Sequence, residues 1–300
     1  MARWLQTAAA ILGLTALAAC AAEGEAPPPQ VGSVPPAAVE EEPEPPVCPV
    51  PLPDGLAGPG LTVASFTIDK LGIYSSRANG ALACLLAPFD LVVVHGLAAP
   101  PYEGSFANGE PYRPEPAATA FFEAMRQHGF RYAMAPEDTG PGDRNQLNSD
   151  LTVWPAVFMK EARLMVDPSR PSGYIEPDRS ANQTYARVPY ALALQTRDGS
   201  YDFLLLSVDL AGDRGDAQRR RYELSALSGW LQQNRKGEQD VLVAGGFNFA
   251  DCGEPQSLLP PGFAWLSGGC QPNDLAGQRP HDGLAMLEGG AAQVAQPLTP

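Results

Sequence analysis

Histidine is scarce in this 300-residue chain, with three in all, and no Cys-x-x-Cys spacing occurs. A zinc site of the usual closed kind needs four such ligands at characteristic spacing, so the sequence alone argues against one. Basic residues are also few: 20 Lys and Arg stand against 34 Asp and Glu, for a net charge of -14. Proteins that grip polyphosphate chains cluster Lys and Arg on one face. The one basic run, Arg219-Arg220-Arg221, opens a helical pattern and reads as a solvated helix face. Nucleic acid is therefore not an expected partner.

No apolar run reaches the length of a confident membrane-spanning helix, but the N-terminus carries a shorter one. Arg3 supplies a positive start, Trp4 to Ala16 is apolar, and Leu17-Ala18-Ala19-Cys20 follows. That order is the pattern of a secretory signal with small residues before its cleavage point. The Leu-Ala-Ala-Cys junction resembles the bacterial lipobox. The resemblance implies that Cys20 becomes the acylated N-terminus, with several acyl chains giving a stable anchor where one is marginal. Ala21 and Ala22 follow the Cys, with no Asp, which by resemblance to sorting rules points to the outer membrane and a periplasm-facing domain.

Residues 21–60 carry seven acids and no base, with Pro27-Pro28-Pro29, Pro35-Pro36 and a Glu/Pro run from Glu40 to Pro46. Such a stretch has too little apolar surface to fold and is stiffened by proline, so it reads as a disordered tether. Three parts result: a signal peptide over 1–20, a tether over 21–60 and a globular domain over 61–300. With Cys20 acylated, Cys48, Cys84, Cys252 and Cys270 remain. An even set in an exported chain suggests two disulfides, with three connectivities open. The favoured pairs are Cys48–Cys84 and Cys252–Cys270, each closing a local loop.

In the domain, Leu61 to Ile68 alternates as a strand does, and Leu91-Val92-Val93-Val94 has the continuous apolar character of a strand buried on both faces. Ala118, Phe121, Phe122 and Met125 fall at helical spacing ahead of Gly129. Phe130 to Ala135 reads as a short strand, and Val153 to Lys160 is expected to pair with Ala162 to Val166. Asp198-Gly199 between Tyr190–Thr196 and Tyr201–Leu210 is the strongest hairpin signal. A helix over about 216–236, marked by Leu224, Leu227 and Leu231, precedes buried strands at 240–244 and 284–287. Trp154, Trp230 and Trp265 read as core residues, and Asp69 and His128 as solvated ones. Strands mixed with two helices suggest an α+β sandwich.

The order of these elements resembles the endonuclease/exonuclease/phosphatase superfamily, with its deoxyribonuclease-I-like fold, over about residues 61–290. Val241 to Asn248, ending Gly245-Gly246-Phe247-Asn248, looks like that family's strand ending in Gly-Asp-Phe-Asn. Ser65-Phe66-Thr67-Ile68 looks like its Ser-Phe-Asn strand, and Leu91 to Leu97 like the strand ending in Gln-Glu-Val. Arg187-Val188-Pro189 resembles its Arg-x-Pro, and Ser207-Val208-Asp209-Leu210 the strand ending in a catalytic His. The resemblance implies a four-layer α/β/β/α sandwich of two packed sheets.

The family's chemistry places carboxylates around a divalent cation, with an acid–base pair to activate water. At the matching positions this chain has Gly96 for the metal-binding Glu, Gly246 for the Asp, Thr67 for the Asn and Asp209 for the His. The closing Asp-His pair has no counterpart. Arg187 and Asn248 are retained, and Asp282 matches the Asp of the penultimate strand. Glycine can neither coordinate a metal nor move a proton, so the expectation is a catalytically inactive domain, without metal or other cofactor, serving as a binding or scaffold module for a protein or small-molecule ligand. Two alternatives stay open. One is a divergent phosphodiesterase or nuclease whose site is rebuilt from His95, Asp209, His281 and Asp282 around Mg²⁺ or another divalent cation. The other is a purely structural envelope lipoprotein.

Overall fold

The structure is a computed structural model that describes residues 30–32, 48, 60–71, 79–98, 100–105, 111–112, 114–139, 153–176, 184–212, 217–234, 237–238, 240–251, 253–266 and 282–287. Two sheets pack face to face between outer helices. The first has the order β1 (Gln30–Gly32), β6 (Phe130–Met134), β7 (Trp154–Lys160), β3 (Leu91–Leu97), β2 (Val63–Leu71). The second runs β13 (Phe263–Trp265), β14 (Asp282–Leu287), β12 (Val241–Gly246), β11 (Asp202–Asp209), β10 (Tyr190–Thr196), β8 (Leu164–Val166), with β9 (Gly173–Tyr174) also on β10. A small ribbon joins β4 (Gly104–Ser105) to β5 (Pro111–Tyr112).

Strand alternation sorts the side chains into three layers of core. Leu91, Val93, Val157, Met159, Leu192, Leu194, Phe203, Leu205, Leu242 and Ala244 fill the space between the sheets. Val92, Val94, Ala156 and Phe158 point the other way, against α1 (Asn79–Leu86) and α2 (Pro116–Gln127), which add Ala83, Leu86, Ala118, Phe121, Phe122 and Met125. The second sheet turns Leu204, Leu206, Val208, Val241 and Val243 toward α3 (Ala217–Asn234) and α4 (Glu254–Leu258), where Leu224, Leu227, Leu231 and Leu258 meet them. Each of these large apolar side chains contributes roughly 1.5–3 kcal/mol by leaving water. The result is the expected α/β/β/α sandwich. β3 is buried along its whole length because its two faces belong to two different cores.

Three features depart from the sequence reading. Val153–Lys160 and Ala162–Val166 do not pair: β7 lies between β3 and β6, whereas β8 pairs with β10 in the other sheet. A tight turn closed by Arg163 N–H on Lys160 O, 2.9 Å, carries the chain across, and Arg197 N–H on Arg163 O, 2.9 Å, fixes its far side. Helices α1 and α4 join the two expected. Within the stretch read as a tether, Gln30–Gly32 pairs antiparallel with β6, Gln30 opposite Met134 and Gly32 opposite Tyr132. Cys48 and Cys84 form the favoured disulfide, Cα atoms 5.2 Å apart and 36 residues apart in sequence. Closing a loop of that size restricts the unfolded chain by about 4 kcal/mol in the entropic model. Cys20, Cys252 and Cys270 lie outside the described residues.

Candidate functional site: the polar end of the intersheet space

β2 runs parallel to β3, and β11 parallel to β12, and cross-sheet bonds from Thr67 to Asp282 and between Ser207 and His95 bring their C-terminal halves to the same end of the sandwich. Along each strand the inward-facing positions change from apolar to polar there. Val63, Ser65 and Thr67 succeed one another on β2, and Leu91, Val93 and His95 on β3, with Thr67 opposite His95. On the facing sheet Leu205, Ser207 and Asp209 succeed one another on β11, opposite Leu242, Ala244 and Gly246. Gly246 in turn lies opposite Asp282 on β14. The period of two along a strand therefore collects Ser65, Thr67, His95, Ser207, Asp209, Gly246 and Asp282 at one cleft.

Asp282 bridges the sheets. Its Oδ1 accepts from Thr67 Oγ1 at 2.6 Å and from Ser65 Oγ at 3.5 Å, and its Oδ2 from the Thr67 N–H at 3.2 Å. Asp209 is held differently. Its Oδ1 accepts from Arg187 Nη1 at 3.2 Å and from Asn248 Nδ2 at 3.4 Å. Both members of the Arg187–Asp209 pair are largely shielded, their side chains 19% and 11% exposed, so screening weakens the pair less than it would a surface one. Asn248 is the one non-glycine residue of positive φ among the described residues, at 54°, a region that Asn tolerates better than most. That turn aims its Nδ2 at Leu210 O, 2.6 Å away.

His95 is 1% exposed, with Nε2 3.5 Å from Ser207 Oγ. The ring lies against Gly245, whose φ is 142°. A Cβ added at Gly245 would stand 1.9 Å from Val208 O and 2.5 Å from His95 Nε2, so this position admits only glycine. Gly96 has φ 81° and sits where the β3–β7 register shifts between Val94 and Leu97. An L side chain there is strained by about 1–2 kcal/mol.

The walls of the cleft are clamped from α3. Glu223 is fully buried; its Oε1 accepts from Ala186 N–H at 2.6 Å and its Oε2 from Ala211 N–H at 3.0 Å. Burial raises its pKa, and those two bonds and Arg219 offset that only in part. One turn earlier Arg220, also fully buried, donates to Ala211 O at 3.3 Å and grips both oxygens of Glu254 at 3.0 Å. Glu254 accepts from Ala250 N–H at 2.7 Å. These carboxylates and this guanidinium tie down the residues flanking Arg187, Asp209 and Asn248. The reading of Arg219-Arg220-Arg221 as a solvated face is corrected at Arg220. The signal lay in the spacing: Arg220, Glu223, Leu224, Leu227 and Leu231 share one helical stripe, and a charged pair on an apolar stripe marks a buried ion cluster.

The site residues named from sequence fall as follows. Thr67, Arg187, Asp209, Gly246, Asn248 and Asp282 meet at the cleft, and His95 lies at its floor; His281 and the Asp69 side chain are outside the described residues. Trp154 is a core residue, 2% exposed. His128 is not solvated as expected: its Nε2 lies 3.8 Å from Cys48 Sγ and 3.7 Å from Cys84 Sγ. A divalent cation such as Mg²⁺ needs carboxylate oxygens turned toward it at about 2.0–2.1 Å. Here Gly96 and Gly246 present no side chain, Asp209 faces a guanidinium that would repel a cation, and Asp282 points its oxygens at Thr67 and Ser65. Among the described residues, the side chains at this cleft do not fit that ion.

No family model matches the sequence, and no curated protein matches it. Solved structures do match in shape. The catalytic domain of human Nocturnin, solved with bound sulfate, aligns with a TM-score of 0.51 at 14% identity, over 76% of this chain and 82% of that one. An endonuclease/exonuclease/phosphatase family protein from Bacteroides thetaiotaomicron aligns with a TM-score of 0.50 at 13% identity, over 75% and 80%. The fold is that of the endonuclease/exonuclease/phosphatase proteins. At such identities the likeness concerns architecture. In this chain that architecture puts the Arg187–Asp209–Asn248 cluster and the Thr67–Asp282 bridge at the mouth of the intersheet space.

Proposed function

We propose that this chain is a lipid-anchored envelope protein, attached through Cys20 and facing the periplasm, whose endonuclease/exonuclease/phosphatase-like domain has lost phosphoester hydrolysis and works as a binding or scaffold module. One observation carries the reading: among the described residues, the two acidic side chains at the cleft, Asp209 and Asp282, are taken up by Arg187 and Thr67, while glycine stands at 96 and 246. General acid–base groups are typically worth 10²–10⁴ in rate, and losses within one cooperative catalytic unit are not restored singly. What remains is a rigid polar rim of mixed charge, suited to orienting a ligand or peptide by hydrogen bonds.

The test is an assay of the purified full chain on single- and double-stranded DNA, RNA and model phosphate mono- and diesters with Mg²⁺ or Mn²⁺. The expected result is no turnover above that of Asp282→Ala. Turnover that copurifies with the native chain and disappears in Asp282→Ala would overturn the reading in favour of a working phosphoesterase.

A further inference from the structure

Away from the cleft, the described residues hold one group of His, Cys, Asp or Glu side chains whose ligand atoms converge: Cys48 Sγ, Cys84 Sγ and His128 Nε2, all within 4.8 Å of one another. Three separate elements bring them together. Cys84 is buried on α1. His128 caps α2, its N–H bonded to Met125 O at 3.1 Å. The backbone around it is anchored to the sheet, since Lys160 Nζ donates to His128 O and Glu161 N–H to Gly129 O at 3.0 Å. Cys48 approaches from the segment ahead of the domain.

A disulfide needs no hydrogen-bond partner, yet the imidazole nitrogen stands almost equidistant from the two sulfurs, at 3.8 and 3.7 Å. In a tetrahedral zinc site, with Zn–S about 2.3 Å and Zn–N about 2.0–2.1 Å, a sulfur and a nitrogen ligand lie about 3.6 Å apart. Both S···N separations thus already match the spacing of two ligands on one ion. Only the sulfurs must part, to about 3.8 Å by the same geometry. The Cα atoms, 5.2 Å apart, need little movement for that.

We propose that reduction of the Cys48–Cys84 disulfide opens a binding site for a thiophilic d¹⁰ cation, Zn²⁺ above all, with Cys48 Sγ, Cys84 Sγ and His128 Nε2 as ligands and water in the fourth position. The reductant is a dithiol. It gives two electrons and two protons, so that its two S–H bonds become one S–S bond while the Cys48–Cys84 bond becomes two S–H bonds. The entering cation displaces both thiol protons to solvent, because thiolate is the ligand. Disulfide and bound cation are then alternative fastenings of residue 48 to α1.

The experiment uses the full chain with Cys20→Ala, Cys252→Ser and Cys270→Ser, which leaves the one pair. Zn²⁺ alone is titrated against a chromophoric chelator, before and after reduction by a phosphine, with Co²⁺ as a spectroscopic reporter. The reduced chain is expected to take one equivalent of Zn²⁺, to show thiolate-to-cobalt absorption, and to keep its far-ultraviolet dichroism, while the oxidised chain binds none. His128→Ala, which leaves the disulfide intact, is expected to weaken Zn²⁺ binding by the reduced chain at least ~10-fold, the low end of what even an outer-shell partner is worth. Loss of the fold on reduction, no Zn²⁺ binding by the folded reduced chain, or unchanged binding in His128→Ala would each overturn the proposal.

Discussion

Thr67 Oγ1 donates a 2.6 Å hydrogen bond to Asp282 Oδ1, and the two residues belong to different sheets. The bond closes the polar end of a space that is otherwise apolar, between two half-buried residues. Hydrogen bonds to charged acceptors contribute about 1.5–3 kcal/mol. Asp282→Ala should lose stability of that order in urea unfolding, and Thr67→Val should lose less, because the Thr67 N–H bond to Asp282 Oδ2 survives it. A double-mutant cycle should return a coupling of at least ~0.5 kcal/mol. Strict additivity would mean that the bridge contributes nothing beyond packing.

Much of this cleft was legible before any coordinates. The Asp198-Gly199 hairpin and the all-apolar Leu91–Val94 strand rest on local pattern and lie where pattern puts them, while Gly245-Gly246-Phe247-Asn248 is placed by its resemblance to the family's Gly-Asp-Phe-Asn strand end. What pattern could not supply was partner choice. Val153–Lys160 and Ala162–Val166 are neighbours in sequence with matching strand character, but strand character does not say which sheet a strand joins. His128 reads as solvated because no cysteine lies near it in sequence; Cys48 and Cys84 reach it from 80 and 44 residues away. Helical spacing puts Arg220 on the buried stripe, but its partner Glu254, 34 residues on, is announced by no periodicity.

Gly245 offers a sharp packing test. The added methyl of Gly245→Ala would meet Val208 O at 1.9 Å and the His95 ring at 2.5 Å, and one of the two is backbone. The φ of 142° adds strain of its own. Overpacking with a backbone clash should cost roughly 3 kcal/mol or more. Thermal unfolding of Gly245→Ala should show a large fall in Tm. A near-native Tm would mean that β11 and β12 part easily at this end, which the parallel register over Val208 and Gly245 contradicts.

The proposed membrane attachment rests on Leu17-Ala18-Ala19-Cys20. With Cys20→Ser the thioether to diacylglycerol cannot form. Expression in a bacterial host followed by fractionation should then show either soluble chain or unprocessed precursor in place of the mature lipid-modified form. Unchanged fractionation with the outer membrane, at the mature mass, would remove the anchor from the proposed function.

The buried charges of α3 should behave as a unit. Arg220→Met leaves Glu254 facing Ala250 N–H without its guanidinium, and breaking a buried pair from one side costs about 3–5 kcal/mol. Arg220→Met with Glu254→Leu should recover part of that loss, because no charge is then stranded. Urea titrations of the two variants decide it. Equal losses would show that Arg220 acts through its bond to Ala211 O and not through Glu254.

Glu223 gives the same clamp a pH signature. Its burial raises its pKa above the ordinary 4.5, more than the bonds from Ala211 and Ala186 and the charge of Arg219 lower it. The folded chain therefore holds this proton more tightly than the unfolded one. By linkage, that stabilisation is complete below about pH 4.5, where both states are protonated, and is lost as pH rises through the folded-state value. Glu223→Gln removes the titration. It also leaves one of the two N–H groups without its oxygen, at about 1–3 kcal/mol. The stability gap between native chain and variant should thus be widest near pH 4.5 and narrower at pH 7, as read from paired urea titrations at the two values. A gap that widens toward neutral pH would mean that the two N–H bonds and Arg219 outweigh burial, and that Glu223 holds the loops around Arg187 and Asp209 as a stabilised carboxylate.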